Sequence, residues 1–183
     1  MANAQRLTVA EYLALPEEKP YLEYICGEVT AKVAPSFEHS VVALEIGAMI
    51  RAWAQRNGGV AGVEPRVRFL DDPRGRIHVL DLGYWAAGRP IGDHRAMSPP
   101  TLAIEIRSPD QSLASQRERC ATMRRFGVPG TWLVDPEGHT IETVEAGAER
   151  TFGQGDTLLS IFLPGLEVDI SALFASLDQF AND

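Results

Sequence analysis

The chain has 183 residues, of which 45% are hydrophobic and 23% are charged, proportions typical of a soluble globular protein. This length favours a single domain, residues 1–183, with a sizeable core. No apolar run approaches the roughly 20 residues of a membrane span, and the N-terminus lacks the features of a signal peptide. Two cysteines without metal-ligand spacing, Cys26 and Cys120, indicate a cytoplasmic protein with reduced thiols.

Arginine is concentrated in the middle of the chain. Residues 51–125 hold 13 arginines, no lysine and 8 acidic residues, whereas the whole chain has a net charge of −8. The overall charge argues against a generally basic nucleic-acid binder, but the middle segment could form a local anion-binding surface. Arginines scattered over solvated faces would give the same composition, so both interpretations stay open.

The predicted elements begin with a helix capped by Thr8, with Glu11 completing a capping box. Apolar periodicity predicts further helices, and alternating apolar runs bounded by turn residues predict strands. In chain order these are a hairpin at 21–35, a long helix at 36–59, strands at 62–70, 77–85 and 101–108, a helix at 115–127, a hairpin at 131–146, a last strand pair and a helix at 170–180. This order indicates an α/β (α+β) fold in which helices flank a mixed central sheet.

Two acidic residues interrupt apolar strands. Asp81 shares a strand face with Val79 and Gly83, and Glu105 shares one with Ala103 and Arg107. An unpaired buried carboxylate costs several kcal/mol, so each needs a cation, a donor or an exit to water. A salt bridge to an arginine would explain either acid alone. If neighbouring strands bring both acids together, a hard divalent ion is the natural counter-charge.

Arg119 lies on the apolar side of its predicted helix, between Met123 and Phe126 at 100° per residue. An arginine on a buried face is expected to meet an acid, and the helix follows the Glu105 strand directly. Snorkelling at the edge of the core is the alternative.

The order of several short motifs resembles the Uma-type restriction endonucleases, a branch of the PD-(D/E)XK nuclease superfamily. These motifs are "YLEYICGEV", "APSFEH", "VLDLGYW", "LAIEIRSPD", "FGVPGTWLVDPEG" and "FLPGLEVDISALF". The resemblance covers roughly residues 7–174. It implies a restriction-endonuclease-like fold, hydrolysis of DNA with Mg²⁺ or Mn²⁺, and assembly as a homodimer.

The resemblance also implies roles for individual residues. Asp81 and Glu105 match the motif acids that bind the metal, with help from the Ile106 carbonyl, and Glu23 matches a further acid of the site. Arg107 stands where the superfamily has its motif lysine, and Arg119 stands where many members of this branch carry one. The chain's two lysines, Lys19 and Lys32, lie outside these motifs.

The absence of a motif lysine leaves two functions open. One is a metal-dependent endonuclease in which Asp81, Glu105 and Glu23 bind the metal and Arg107 or Arg119 is the catalytic cation. If the arginine is a suboptimal cation, Arg119→Lys is expected to raise the rate. The other function is a catalytically inactive DNA-binding or protein-interaction module on the same fold. His39 also matches a histidine of the family, but a packed and hydrogen-bonded histidine is a simpler interpretation than a catalytic role.

Overall fold

The computed structural model of the chain describes residues 6–93 and 95–178. Within these ranges there are four helices: α1 Val9–Leu13, α2 Phe37–Asn57, α3 Leu113–Arg125 and α4 Ile170–Asp178. The first seven strands are β1 Leu22–Ile25, β2 Glu28–Ala31, β3 Val60–Val63, β4 Arg66–Arg68, β5 Arg76–Val79, β6 Leu82–Trp85 and β7 Gly92–Asp93. The remaining strands are β8 Ala96–Met97, β9 Leu102–Ile106, β10 Gly130–Asp135, β11 Thr140–Glu145, β12 Ala148–Phe152, β13 Thr157–Leu159 and β14 Glu167–Asp169.

The strands form two six-stranded mixed sheets and a small ribbon, which confirms the predicted α+β class. One sheet, called sheet A, has the order β2-β1-β5-β4-β8-β7, and sheet B has the order β12-β11-β10-β9-β6-β3. Sheet A contains the parallel pair β4–β8 and sheet B the parallel pair β9–β10, while the other neighbours are antiparallel. The sequence predicted one central sheet, and the fold divides its strands between two.

The division arises because two predicted strands are each interrupted, and the two interruptions lie side by side in the fold. The run 62–70 breaks at Glu64 and Pro65 into β3 and β4, and the run 77–85 breaks at Leu80 and Asp81 into β5 and β6. Pro65 has no N–H to donate to a ladder, and Glu64 has a positive φ of 49°. Backbone bonds from Leu80 N to Pro65 O (3.1 Å) and from Glu64 N to Asp81 O (3.0 Å) tie the two breaks together. Asp81 therefore lies at the joint between the sheets.

Helices cover both faces of sheet B. Leu102, Ile104 and Ile106 of β9 belong to a core cluster that also contains apolar residues of α2 and α4. Ala103 points to the other face, where it belongs to a cluster with Cys120 and Met123 of α3. The period-two alternation of β9 places Glu105 on this second face, toward α3.

Local sequence signals account for the ends of these elements. Thr8 and Glu11 form the expected capping box on α1, and Gly58 ends α2. The turn between β1 and β2 has positive φ at both Cys26 and Gly27, the backbone of a type I′ hairpin. The predicted C-terminal helix is confirmed to Asp178, and its last two predicted residues lie outside the described residues.

Across residues 6–93 and 95–178, no helix combines the length and hydrophobicity needed to cross a membrane.

Candidate active site

Three acidic residues, two on strands and one in the break between β5 and β6, converge at the joint between the sheets. Asp81 follows β5 and precedes β6, and its Oδ2 accepts a hydrogen bond from the backbone N of Ile106 at the end of β9 (2.7 Å). Glu105 is the preceding residue of β9, which pairs with β6. Glu23 lies on β1, beside β5, and its Oε1 accepts a bond from the backbone N of Val79 (2.8 Å). The predicted convergence of the acids thus follows from the sheet register.

Arg119 of α3 joins two of these acids. Its Nε lies 3.0 Å from Glu105 Oε2, while Nη1 and Nη2 donate to the two oxygens of Glu23 at 2.9 and 2.7 Å. Nη2 also donates to the Val79 carbonyl at 3.2 Å, and Nη1 contacts His78 Nδ1. The predicted buried position of Arg119 is correct, because its side chain is only 16% exposed.

Lys32 provides the second cation of the site, which the sequence motifs did not indicate. Its Nζ lies 2.8 Å from Asp81 Oδ1 and donates to the Leu80 carbonyl at 3.2 Å. A usable signal was present in the β1–β2 hairpin: Thr30 is the cross-strand partner of Glu23. Because side chains alternate along a strand, Lys32, two residues beyond Thr30, continues the face that carries Glu23.

His39 holds the other oxygen of Asp81. Its Nε2 lies 3.1 Å from Asp81 Oδ2, in the first turn of α2. The His39 Nδ1 atom is buried without a hydrogen-bond partner among the described residues. His39 is therefore packed in the protein, as the simpler interpretation predicted. It also contacts Asp81, a predicted metal ligand.

Arg107 lies away from this cluster. Its guanidinium contacts Asp135 Oδ1 from Nε (2.8 Å) and Nη2 (2.7 Å), and it also binds Glu137 and the Gln111 carbonyl. It lines a separate cavity of about 470 Å³. The prediction that it shares a face with Glu105 assumed that the strand continues, whereas β9 ends at Ile106. Of the two arginines proposed as the catalytic cation, the structure brings Arg119 alone among the acids.

A small cavity of about 100 Å³ borders the acids. Its lining includes Glu23, Lys32, Asp81, Glu105 and Arg119. Glu105 Oε1 is buried and has no hydrogen-bond partner among the described residues, so one carboxylate oxygen beside this cavity is unsatisfied. Buried polar groups are nearly always paired, and an unpaired one therefore points to a ligand at this position.

The described residues contain no group of three or more His, Cys, Asp or Glu side chains arranged to hold one metal ion. Glu23 has both oxygens bound by Arg119, which explains why it does not complete such a group. Both oxygens of Asp81 are also engaged, by Lys32, His39 and the Ile106 N–H, and Glu105 Oε1 has no partner among the described residues. A metal held by Asp81 and Glu105 would therefore share Asp81 with Lys32 or displace it. Magnesium is commonly held by one or two carboxylates and by waters, so this donor set fits it without Glu23.

The two central carboxylates have opposite electrostatic environments. Burial raises the pKa of Glu105 most strongly, Arg119 lowers it and Asp81 raises it, with a net result of about 7. Burial also acts to raise the pKa of Asp81, but the hydrogen bond from His39 and the charge of Lys32 outweigh it and hold this pKa well below its usual range. Paired carboxylates with separated pKa values are typical of functional sites.

The arginine-rich middle segment is largely engaged within the protein. Nine of its arginines have side-chain contacts with acids, carbonyls or a hydroxyl of the chain. They are Arg66, Arg74, Arg76, Arg89, Arg95, Arg107, Arg117, Arg119 and Arg124. The concentration of arginine in residues 51–125 is therefore largely accounted for by contacts inside the fold, and it does not by itself define a DNA-binding surface.

Comparisons with known proteins agree with the family resemblance of the sequence motifs. A family profile described as "Uma2: Putative restriction endonuclease" matches residues 9–171. Among solved structures, the chain is similar to a protein from Anabaena variabilis described as "a putative nuclease belonging to DUF820". The similarity has 27% sequence identity and a TM-score of 0.79, and it covers 93% of this chain and 99% of the other. No curated protein matches the chain.

Proposed function

Because this chain belongs to the Uma2 restriction endonuclease family, we propose that it hydrolyses phosphodiester bonds of DNA with a divalent metal ion. Asp81 and Glu105 bind the ion in this proposal. The observation that carries it is the buried carboxylate pair at the joint between the sheets, where Glu105 Oε1 has no partner in the described protein and borders a cavity.

Magnesium or manganese is the proposed ion because the available ligands are hard oxygen atoms. When bound, such an ion polarises the phosphate and makes a water molecule more acidic. Glu23 takes a supporting role, because its bonds to Arg119 and to the Val79 amide fix the arginine that faces Glu105.

The protein holds the two ligands from different elements. Ile106 directly follows Glu105, and its backbone N–H donates to Asp81 and so fixes Asp81 near Glu105. His39 and Lys32 favour the charged form of Asp81. Arg119 directs Glu105 Oε2 toward α3. During hydrolysis the water oxygen forms a bond to phosphorus and gives up a proton to solvent, one P–O ester bond breaks, and the leaving oxygen takes up a proton from solvent.

Arg119 does not accept the proton of the attacking water. Burial acts to lower its pKa, but the charges of Glu105 and Glu23 outweigh this and raise the pKa above that of an ordinary arginine. Arginine is in any case always protonated in proteins. Its function in this proposal is electrostatic and positional.

An inactive DNA-binding or protein-interaction module is the second candidate. The observation favouring it is that Asp81 is already paired with Lys32, and Glu23 and Glu105 with Arg119. In that case the cluster would stabilise the joint between the sheets and would need no metal.

A plasmid-nicking assay separates these candidates. Wild type, Glu105→Gln and Glu118→Gln are incubated with magnesium or manganese, with and without chelator. Glu118 is the matched control because it is exposed on α3, next to Arg119 in sequence. We expect wild type and Glu118→Gln to nick DNA in metal, and Glu105→Gln to be inactive while retaining its thermal stability. Absence of nicking by wild type with either metal would favour the inactive module.

We further propose that the protein is a homodimer, as the family resemblance implies and as is commonest among symmetric oligomers. Light scattering at micromolar concentration should give twice the chain mass of 20.0 kDa. A mass equal to that of one chain would remove this part of the proposal.

A further inference from the structure

The two cations of the site differ in how many of their hydrogen-bond donors are already used. The Arg119 guanidinium has five N–H donors and makes five contacts, to Glu105, twice to Glu23, to the Val79 carbonyl and to His78. It has no donor left for a substrate. Any phosphate contact by Arg119 would require it to give up one of these five partners.

Lys32 has capacity for a further contact. Its ammonium has three donors, and the contacts within the described protein are to Asp81 Oδ1 and the Leu80 carbonyl. The lysine side chain is flexible and its charge is compact. It can therefore reorient without breaking the paired hydrogen bonds that a planar guanidinium makes.

The position of Lys32 also favours access from outside. Its side chain is as little exposed as that of Arg119, at 14% against 16%, but it lines both the cavity beside the acids and a neighbouring cavity of about 300 Å³. The neighbouring cavity is bordered by Lys19, Tyr21, Val33 and Pro35. Lys32 therefore stands between the acid cluster and a second opening on the surface.

We propose that Lys32 is the residue that contacts the substrate phosphate, and that Arg119 is a positioning residue for Glu105 and Glu23. This inference rests on the proposed nuclease function and specifies how its site meets DNA. The ammonium of Lys32 hydrogen-bonds to a non-bridging phosphate oxygen and offsets charge that develops during hydrolysis. The cation that contacts the phosphate thus comes from the end of the β1–β2 hairpin. It is neither Arg107, which follows β9, nor Arg119 of α3.

The test compares Lys32→Met, Lys32→Arg and Lys19→Met with wild type. Lys19 is the chain's other lysine, and its side chain is 74% exposed. Three quantities are measured: the nicking rate in manganese, the affinity for manganese alone, and the affinity for an oligonucleotide duplex in calcium at several salt concentrations. Thermal unfolding verifies that each variant is folded.

We expect Lys32→Met to lower the nicking rate by about 10²–10³-fold, the effect of removing one donor to a transition-state charge. Its manganese affinity should equal or exceed that of wild type, because a positive charge beside Asp81 is gone. Loss of one phosphate contact should also reduce the salt slope of duplex binding by about 0.9. Lys32→Arg should restore the wild-type slope, and Lys19→Met should match wild type in nicking rate and manganese affinity.

Arg119→Lys should differ from Lys32→Met in both manganese affinity and the salt slope. We expect weaker manganese binding, since Glu105 is held less firmly, with the salt slope of wild type. A slope reduced by Arg119→Lys and unchanged by Lys32→Met would overturn the assignment of roles.

The outcomes for the inference and for the proposed function are distinguishable. If wild type binds the duplex but does not nick it, the nuclease proposal fails while the salt slopes still test Lys32. If Lys32→Met equals wild type in rate and in slope, the inference is wrong and the nuclease proposal stands. If wild type does not bind the duplex at all, both are wrong.

Discussion

Removal of the Arg119 guanidinium should destabilise the protein strongly. The side chain neutralises Glu23 and Glu105, which are 8% and 4% exposed. Arg119→Met keeps an unbranched apolar stem of similar length but leaves both carboxylates without this cation. Breaking a buried ion pair by removing one partner costs about 3–5 kcal/mol, so we expect a loss of that size in the free energy of unfolding.

Arg117→Met is the matched control. Arg117 lies on the same helix and binds Glu142 through Nε (2.8 Å) and Nη2 (2.5 Å), but its side chain is 57% exposed. Solvent screens such a pair, and surface ion pairs contribute little to stability. The two variants thus remove the same chemical group from a buried and an exposed ion pair.

Urea unfolding in the presence of chelator measures the difference. With an m-value of about 2 kcal/mol/M, a loss of about 3–5 kcal/mol lowers the unfolding midpoint by about 1.5–2.5 M. Arg117→Met should lie close to wild type. Equal midpoints for Arg119→Met and Arg117→Met would refute the view that Arg119 neutralises the acid cluster.

Three further predictions concern the same site. Because the pKa of Glu105 is about 7 when folded, against 4.5 ordinarily, its contribution to stability is full below pH 4.5 and is lost as the pH rises through 7; it amounts to on the order of 3 kcal/mol. The free energy of unfolding, measured by urea titration in chelator, should therefore fall less between pH 4.5 and pH 8 for Glu105→Gln than for wild type. An equal fall in both proteins would contradict burial as the cause of the raised pKa. Arg119→Lys should unfold at a lower urea concentration than wild type but a higher one than Arg119→Met, since an ammonium has three donors against the five of arginine. His39→Ala should raise the pKa of Asp81, seen by carboxylate NMR, because it removes a bond that favours the charged form; an unchanged pKa would count against that bond.

The effect expected of Arg119→Lys changes once the contacts are known. The family resemblance suggested that a lysine at this position would raise the nicking rate. The five contacts of Arg119 indicate instead that a lysine would hold Glu23 and Glu105 less firmly. A higher nicking rate for Arg119→Lys would restore the original expectation.

Parts of the site that follow from local periodicity could be predicted from the sequence. Strand alternation placed Glu105 opposite the apolar face of β9, and helical spacing placed Arg119 on the buried side of α3. Both signals operate within one element, where geometry has a fixed period. The family resemblance then paired Asp81 with Glu105, which neither period alone could do.

The missed features depend on where elements end and on which strands pair. Arg107 was expected beside Glu105, but the strand ends one residue earlier and the side chain binds Asp135 and Glu137. Lys32 was passed over because its contact with Asp81 spans 49 positions of the chain and requires both the hairpin register and the joint between the sheets. The hairpin register places Lys32 on the face of Glu23, but its contact with Asp81 has no local signature.

A crystal of the wild-type protein soaked in manganese tests the central claim most directly. We expect one strong anomalous peak within about 2.0–2.6 Å of carboxylate oxygens of both Asp81 and Glu105, with Glu23 still bound to Arg119. The same soak of Glu105→Gln should show a much weaker peak or none. A wild-type crystal without a peak at these two carboxylates, or with its strongest peak elsewhere, would contradict the assignment of Asp81 and Glu105 as the metal site.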